Sequence, residues 1–175
     1  MSLEISWTRR ANCLPPEVRD KLAAMLERLH PYFPEMKKNM RVGITRLFDG
    51  LVFQSNEGKV KLMVDVHRTR KRGWVYPTYW TLAHELMHLA QFNSHGIPSG
   101  ERACDIFALT RLPPELIDDS PSYLVVPDKI REEWNEVHAD LARKLALEAV
   151  KKRGDGLKNY AVWWEDEFER VSESR

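Results

Sequence analysis

The chain has 175 residues and a mass of 20.5 kDa, so we expect a single domain over 1–175. A composition that is 43% hydrophobic and 30% charged excludes a disordered or collagen-like protein. The 27 basic and 26 acidic residues leave a formal charge of +1, so nucleic acid and a membrane surface are not the expected partners.

Three features indicate a cytoplasmic protein. No run of residues approaches the roughly 20 apolar side chains that a membrane-spanning helix needs. The two cysteines, Cys13 and Cys104, lie far apart, which suits a reducing compartment better than a disulfide scaffold. The start, Met1-Ser2-Leu3, lacks the basic and then apolar pattern of a secretory signal.

The first half of the chain predicts a helix followed by a small sheet. Apolar residues recur at helical spacing from Val18 to Leu29, between Pro15-Pro16 and Pro31. The spacing then changes to two, which predicts strands over 40–48, 51–54 and 60–66, joined by turns at Asp49-Gly50 and 55–58. We expect a short antiparallel three-stranded meander with one buried face.

The second half predicts four helices. They are expected from beyond Pro77 to about His95, from an N-cap at Ser99 to before Pro113, from Ile130 to Ala149, and from Leu157 to Val171. The basic cluster from His67 to Arg72 is interpreted as a solvated connector that keeps an edge strand from pairing. The alternative is that it binds phosphate or the acidic side chains of a substrate. The order of elements predicts the α+β class, with the sheet early.

A metal-binding pattern lies inside the first of these helices. His84 and His88 are four residues apart, a spacing of about 40° and about 6 Å, so both imidazoles leave one face and can bind a single ion. Glu85 projects about 100° from His84, where it can reach a metal-bound water. Leu82, Leu86 and Leu89 are expected to pack the other face into the core.

A zinc hydrolase needs a third protein ligand and an open fourth position. His95 is rejected, because on a straight helix it lies about 16 Å along the axis from His84. Glu101 is the better candidate, since it begins a new helix after a turn rich in glycine and proline. Asp105, four residues later, shares its face and could accept a hydrogen bond from a ligand imidazole.

The motif His84-Glu85-x-x-His88, followed by Gly100-Glu101-x-x-x-Asp105, resembles the gluzincin zinc metallopeptidases. The short linker between the motifs is similar to that of the small soluble minigluzincins and of short bacterial regulatory zinc peptidases. The resemblance covers about 40–113, and a helical extension follows at about 128–175. It implies a zincin-like fold, with the sheet above an active-site helix and beside a glutamate helix.

The resemblance also implies a function. His84, His88 and Glu101 would bind one zinc ion per chain, Asp105 would support a ligand histidine, and Glu85 would be the general base that takes a proton from the zinc-bound water and passes it to the leaving amine. An edge strand within 40–67 would pair with an extended peptide or protein substrate. We therefore expect a hydrolase, specifically a zinc metallopeptidase.

Two alternatives remain open. The first is a non-catalytic zinc-binding regulatory or interaction module on the same fold, against which Glu85 argues, because a structural site needs no general base. The second is a metal-free helical interaction domain, in which the motif would be accidental.

Three other features are assigned by residue type. Tyr123, His138 and Tyr160 are candidates for stabilising an oxyanion, although His138 is interpreted first as a core histidine. Cys104 is expected to be a small buried residue on the inward side of its helix. The aromatic residues of the last helix are interpreted as core packing, with a cover over the cleft as the alternative.

Overall fold

The structure is a computed structural model that describes residues 3–36, 39–47, 50–55, 59–94 and 96–173. Several predictions concern residues outside these ranges, namely those made for 1–2, 48–49, 56–58 and His95. The chain divides into two compact units, Met1–Asn93 and Ser94–Arg175. The prediction of a single domain stays a prediction.

Helices and strands are combined as the sequence predicted for the α+β class. The strands are β1 (Glu4–Trp7), β2 (Asn39–Thr45), β3 (Gly50–Gln54), β4 (Val60–Asp65), β5 (His67–Thr69) and β6 (Gly73–Val75). The α-helices are α1 (Arg9–Asn12), α2 (Pro16–Leu29), α3 (Tyr79–Asn93), α4 (Glu101–Arg111), α5 (Asp128–Glu132), α6 (Glu136–Gly154) and α7 (Tyr160–Glu173). Two short 3₁₀ turns follow α2 and α4, at His30–Tyr32 and Pro114–Leu116.

The main sheet of the first unit differs from the predicted three-stranded antiparallel meander, which was wrong. Among the described residues it has four strands in the order β1-β2-β4-β3. β2 runs parallel to both β1 and β4, and only β3 and β4 are antiparallel. Turn signals mark where a chain reverses, but they do not determine which strand lies beside which.

The central position of β4 follows from its side chains. Val60, Leu62 and Val64 are at most 3% exposed, and a strand with neighbours on both sides buries its apolar face most completely. β3 is therefore separated from β2 and pairs with β4 as a hairpin, in the register Val52↔Leu62. The four-residue strand β1 was not predicted, since so short an alternation gives little signal.

The predicted basic connector after β4 also differs in the structure. Part of it forms a second, two-stranded sheet, in which β5 pairs antiparallel with β6 in the register His67↔Val75 and Thr69↔Gly73. Arg70, Lys71 and Arg72 are exposed at the turn between the two strands. Strands of three residues are too short for the period of two to be recognised in the sequence.

Two helices of the first unit contact its main sheet: α1 contacts β1 and β2, and α3 contacts β3. α2 contacts α3. The apolar stripe predicted for α2 is buried, with Val18, Leu22, Leu26 and Leu29 fully enclosed. α3 thus lies beside the edge strand β3, which sets the surroundings of the His84–His88 motif.

The second unit is helical in the residues described. α6 packs against both α4 and α7. Trp164 and Phe168 of α7 are fully buried, their rings stack at 4.8 Å, and the indole N–H of Trp164 donates to the Ala142 carbonyl at 3.0 Å. The predicted core packing of these aromatic side chains is confirmed.

Two details of the predicted helices were wrong. The expected long helix from Ile130 is interrupted, because Asn135 is extended and its side chain caps α6 by accepting from the Val137 N–H at 2.9 Å. The N-cap of α4 is Gly100 rather than Ser99, with φ 102°, a region that favours glycine. Among the described residues, no helix combines the length and apolar character needed to cross a bilayer.

Candidate metal centre

The central helix of the candidate site is α3. At its start, the Thr78 hydroxyl accepts a hydrogen bond from the Thr81 N–H at 3.0 Å, which satisfies one of the free donors of the first turn. Leu82, Leu86 and Leu89 are fully buried. The predicted helix and its apolar face are therefore confirmed.

The two histidines of the motif leave α3 side by side. The ring centroids of His84 and His88 are 5.0 Å apart, and the rings are nearly perpendicular, at 88°. His84 is 6% exposed and His88 is half-buried. Neighbouring imidazoles in a largely water-excluded place offer two nitrogen ligands to one cation.

The orientation of the His88 ring is set by Gln91, one turn further along the helix. Nδ1 of His88 lies 2.8 Å from Oε1 of Gln91. With the amide oxygen as acceptor, Nδ1 carries the proton and Nε2 keeps its lone pair for a metal. Gln91 has no place in the predicted site, although its i+3 spacing from His88 could have indicated it.

Glu85 is buried against the edge strand. Its side chain is 8% exposed. A Cβ built on Gly50, the first residue of β3, would lie 2.4 Å from Glu85 Cγ and 3.0 Å from Oε1. Only a residue without a side chain leaves room for this carboxylate beside the strand.

The residues predicted on α4 differ in their surroundings within the second unit. Glu101 is exposed at the first position of the helix, whereas Cys104 and Asp105 are fully buried. Asp105 Oδ2 accepts a hydrogen bond from the Tyr123 backbone N–H at 2.8 Å. The roles predicted for Glu101 and Asp105 remain predictions.

Two side chains of the first unit, His84 and His88, can bind one metal ion together through their imidazole nitrogens. Cys104, in the second unit, is fully buried, as expected.

This pair of imidazoles suits zinc. Zn²⁺ binds imidazole nitrogen, typically within a set of four ligands in tetrahedral geometry. Imidazole is also a softer ligand than the oxygen atoms that Mg²⁺ and Ca²⁺ prefer. The residues present therefore fit a transition metal, of which zinc is the commonest in such sites.

The three candidates for stabilising an oxyanion have different surroundings. Tyr123 is 50% exposed. His138 is half-buried and lies 5.9 Å from the Trp134 ring. Tyr160 is buried, and burial raises the pKa of its hydroxyl, although the charges of Arg153 and Arg102 act in the opposite direction. The hydroxyl therefore stays protonated and can donate a hydrogen bond.

Comparison with known protein families, with curated proteins and with solved structures gives no match for this chain. The resemblance to gluzincins therefore rests on the two sequence motifs alone.

Proposed function

We propose that this chain is a zinc-dependent metallopeptidase that hydrolyses peptide bonds in a peptide or protein substrate. The observation that carries the proposal is the pair of neighbouring α3 imidazoles, with a buried glutamate between them in sequence. A purely structural metal site has no use for a carboxylate buried at that position.

His84 and His88 would hold one zinc ion per chain, and Glu101 is proposed as the third ligand from its match to the gluzincin motif. When bound, zinc polarises a scissile carbonyl and lowers the pKa of a coordinated water to about 7. With its amide oxygen as acceptor, Gln91 would hold the proton of His88 on Nδ1. Asp105 is proposed to orient a ligand histidine in the same way.

Glu85 is proposed as the general base. Its carboxylate would accept a proton from the attacking water and return it to the amine that leaves. Its burial beside Gly50 supports this role, since a carboxylate shielded from bulk water is held in a defined position.

The edge strand β3 is proposed to bind the substrate. β3 lies at one end of the sheet order, has β4 as its neighbour, and contacts α3. An extended peptide could add to that edge through backbone hydrogen bonds. Gly50, at the start of β3, would bring the peptide next to Glu85.

A second function is a non-catalytic zinc module, for which the buried thiol of Cys104 is a further candidate ligand by its chemistry. If Cys104 and Glu101 both bound the ion with the two histidines, four protein ligands would close the site and leave no position for water. Structural zinc sites have this closed arrangement, and the module would then serve stability or partner recognition.

Two variants test these functions. The wild-type protein should purify with about one zinc per chain, and His84→Ala should lose it, which would exclude the metal-free domain. Glu85→Gln should keep zinc while abolishing cleavage of a peptide library, because the amide is isosteric but cannot accept the proton. Cleavage by Glu85→Gln at the wild-type rate would refute Glu85 as the general base. Absence of cleavage by the zinc-loaded wild-type protein would refute the peptidase and leave the zinc module.

The cytoplasm is proposed as the site of action, since Cys13 and Cys104 are free thiols.

A further inference from the structure

The charges of this chain are distributed unequally between its two units. The first unit, Met1–Asn93, contains fifteen Lys and Arg against nine Asp and Glu, a formal charge of +6. The second unit has twelve against seventeen, a formal charge of −5. The overall charge of +1 therefore conceals a strongly basic unit, and such asymmetry is typical of proteins that bind polyanions.

Part of this positive charge lies on the face of the main sheet opposite its apolar core. The register aligns Ser6 of β1 with Arg41 of β2, Arg41 with Lys61 of β4, and Lys61 with Phe53 of β3. All four side chains are exposed. They form one row across the four strands, about 14 Å long at the usual strand separation.

This row lines an open groove of about 840 Å³. Among the residues that the structure describes, the charged ones that line it are all basic, namely Arg41, Lys59 and Lys61. Amides and hydroxyls, including Asn39 and Gln54, supply further hydrogen-bonding groups. Glu4 is outside this groove and lines a smaller adjoining cavity of about 390 Å³.

The two central cations are available to a ligand. Among the described residues, neither Arg41 nor Lys61 takes part in an ion pair. Phe53, next to Lys61 in the row, exposes 48% of its surface. An exposed aromatic ring beside unpaired cations offers stacking and charge neutralisation within one site.

We propose that this groove binds single-stranded nucleic acid. Arg41, Lys59 and Lys61 would contact phosphates, and the Phe53 ring would stack on a base. The width of the row suits the two or three bases that other four-stranded sheets stack on their open faces. This binding is separate from the proposed peptidase activity, and it departs from the expectation based on overall charge.

Other polyanions satisfy fewer of these features. An acidic peptide would pair with the cations but has no planar base to stack on Phe53. An anionic membrane would contact a broad convex surface with several inserted apolar side chains rather than a groove with one ring. A duplex presents its bases edge-on and leaves the ring without a stacking partner.

The test measures fluorescence anisotropy of a labelled oligothymidylate of about twelve nucleotides, a usual site size for single-strand binders. The double variant Arg41→Gln/Lys61→Gln should weaken binding at least about tenfold and reduce the slope of log Kobs against log salt by about 1.4. Phe53→Leu, which keeps an apolar side chain without the ring, should weaken binding at least about fivefold.

A charge-matched control is present in the same unit. Arg70→Gln/Lys71→Gln removes two exposed cations from the β5–β6 turn and should leave affinity within about twofold, because neither side chain lines the groove. Thermal unfolding of each variant confirms that it is folded. Zinc content should be unchanged in all of them, since none is a proposed ligand.

Three outcomes overturn the proposal. The first is that Arg41→Gln/Lys61→Gln and Arg70→Gln/Lys71→Gln weaken oligothymidylate binding equally while Phe53→Leu does not weaken it. This result would indicate unspecific electrostatic attraction. The second is competition by polyglutamate as strong as that by unlabelled oligothymidylate. The third is the absence of oligothymidylate binding at low salt while vesicles of phosphatidylserine and phosphatidylcholine bind the protein.

Discussion

Gly50 and Glu85 are packed so closely that a side chain on the first would occupy the space of the second. The built Cβ of Gly50 lies 2.4 Å from Glu85 Cγ and 2.9 Å from Cδ. This contact links the edge strand β3 to the proposed base on α3. The position of the base therefore depends on a residue 35 positions away in sequence.

Gly50→Ala should displace Glu85. The added methyl cannot be accommodated without moving a buried carboxylate, so we expect kcat/KM for peptide cleavage to fall by about 100-fold. The free energy of unfolding should fall by about 1–3 kcal/mol, as is usual for an overpacked site. Steady-state kinetics, urea unfolding and zinc analysis provide the three measurements, and zinc content should not change.

Gly154→Ala is the matched control for this prediction, because a Cβ there meets no atom within 4 Å. It should leave kinetics and stability nearly unchanged. Wild-type activity in Gly50→Ala would show that the position of Glu85 does not matter for cleavage.

The third metal ligand can be identified from zinc affinity. Loss of a residue that only supports a metal ligand weakens metal binding by up to about 100-fold. If Glu101 is a ligand itself, as proposed, Glu101→Gln should weaken zinc binding by more than this. Cys104→Ala should change it little, since alanine fills most of the buried space of the thiol. Competition with a chromogenic chelator gives both affinities.

Substitution by Co²⁺ provides an independent measurement. A thiolate-to-cobalt charge-transfer band that disappears in Cys104→Ala would assign Cys104 as a ligand and favour the closed structural site. A strong loss of zinc in Cys104→Ala with full retention in Glu101→Gln would contradict the proposed ligand set.

Gln91→Leu should weaken zinc binding by about 10–100-fold, because His88 loses the acceptor that keeps the proton on Nδ1. Gln91→Glu should restore most of the affinity, since a carboxylate accepts the same hydrogen bond. Phe92→Ala, at an exposed neighbouring position on α3, is the control and should have no effect. Equal affinities for wild type and Gln91→Leu would exclude a positioning role.

Glu165→Gln should destabilise the second unit by about 1–3 kcal/mol. The buried carboxylate accepts hydrogen bonds from Arg102 Nε at 3.1 Å and from the Val125 N–H at 3.0 Å. The amide of glutamine has a single acceptor oxygen, so it can accept only some of these hydrogen bonds. The expected cost is below that of a fully buried ion pair, because Arg102 is 44% exposed. Urea unfolding measures the loss in the free energy of unfolding, and the m-value should not change.

Glu167→Gln tests whether charge loss alone explains this effect. Glu167 pairs on the same helix with the exposed Arg170, so its substitution should change stability very little. An equal loss in the two variants would contradict the role given to the Glu165 hydrogen bonds.

Local patterns predicted the elements well where the periodic segment was long. The apolar stripes of α2 and α3 and the β3–β4 hairpin are present as expected, because helices and tight hairpins form between residues near in sequence. The order of the sheet was wrong, since the pairing of β2 with β4 joins segments about 20 residues apart with β3 between them. The break at Asn135 is a side-chain cap within a continuous apolar stripe, which periodicity does not reveal.

The candidate sites also divide into features that neighbouring residues determine and features that need the tertiary structure. The two histidines needed only the geometry of one helix, in which residues four apart share a face. The contact between Gly50 and Glu85 joins residues from separate segments, and so does the row from Ser6 to Phe53. No spacing along the chain encodes such contacts, because they form only when strand pairing and side-chain packing bring distant segments together.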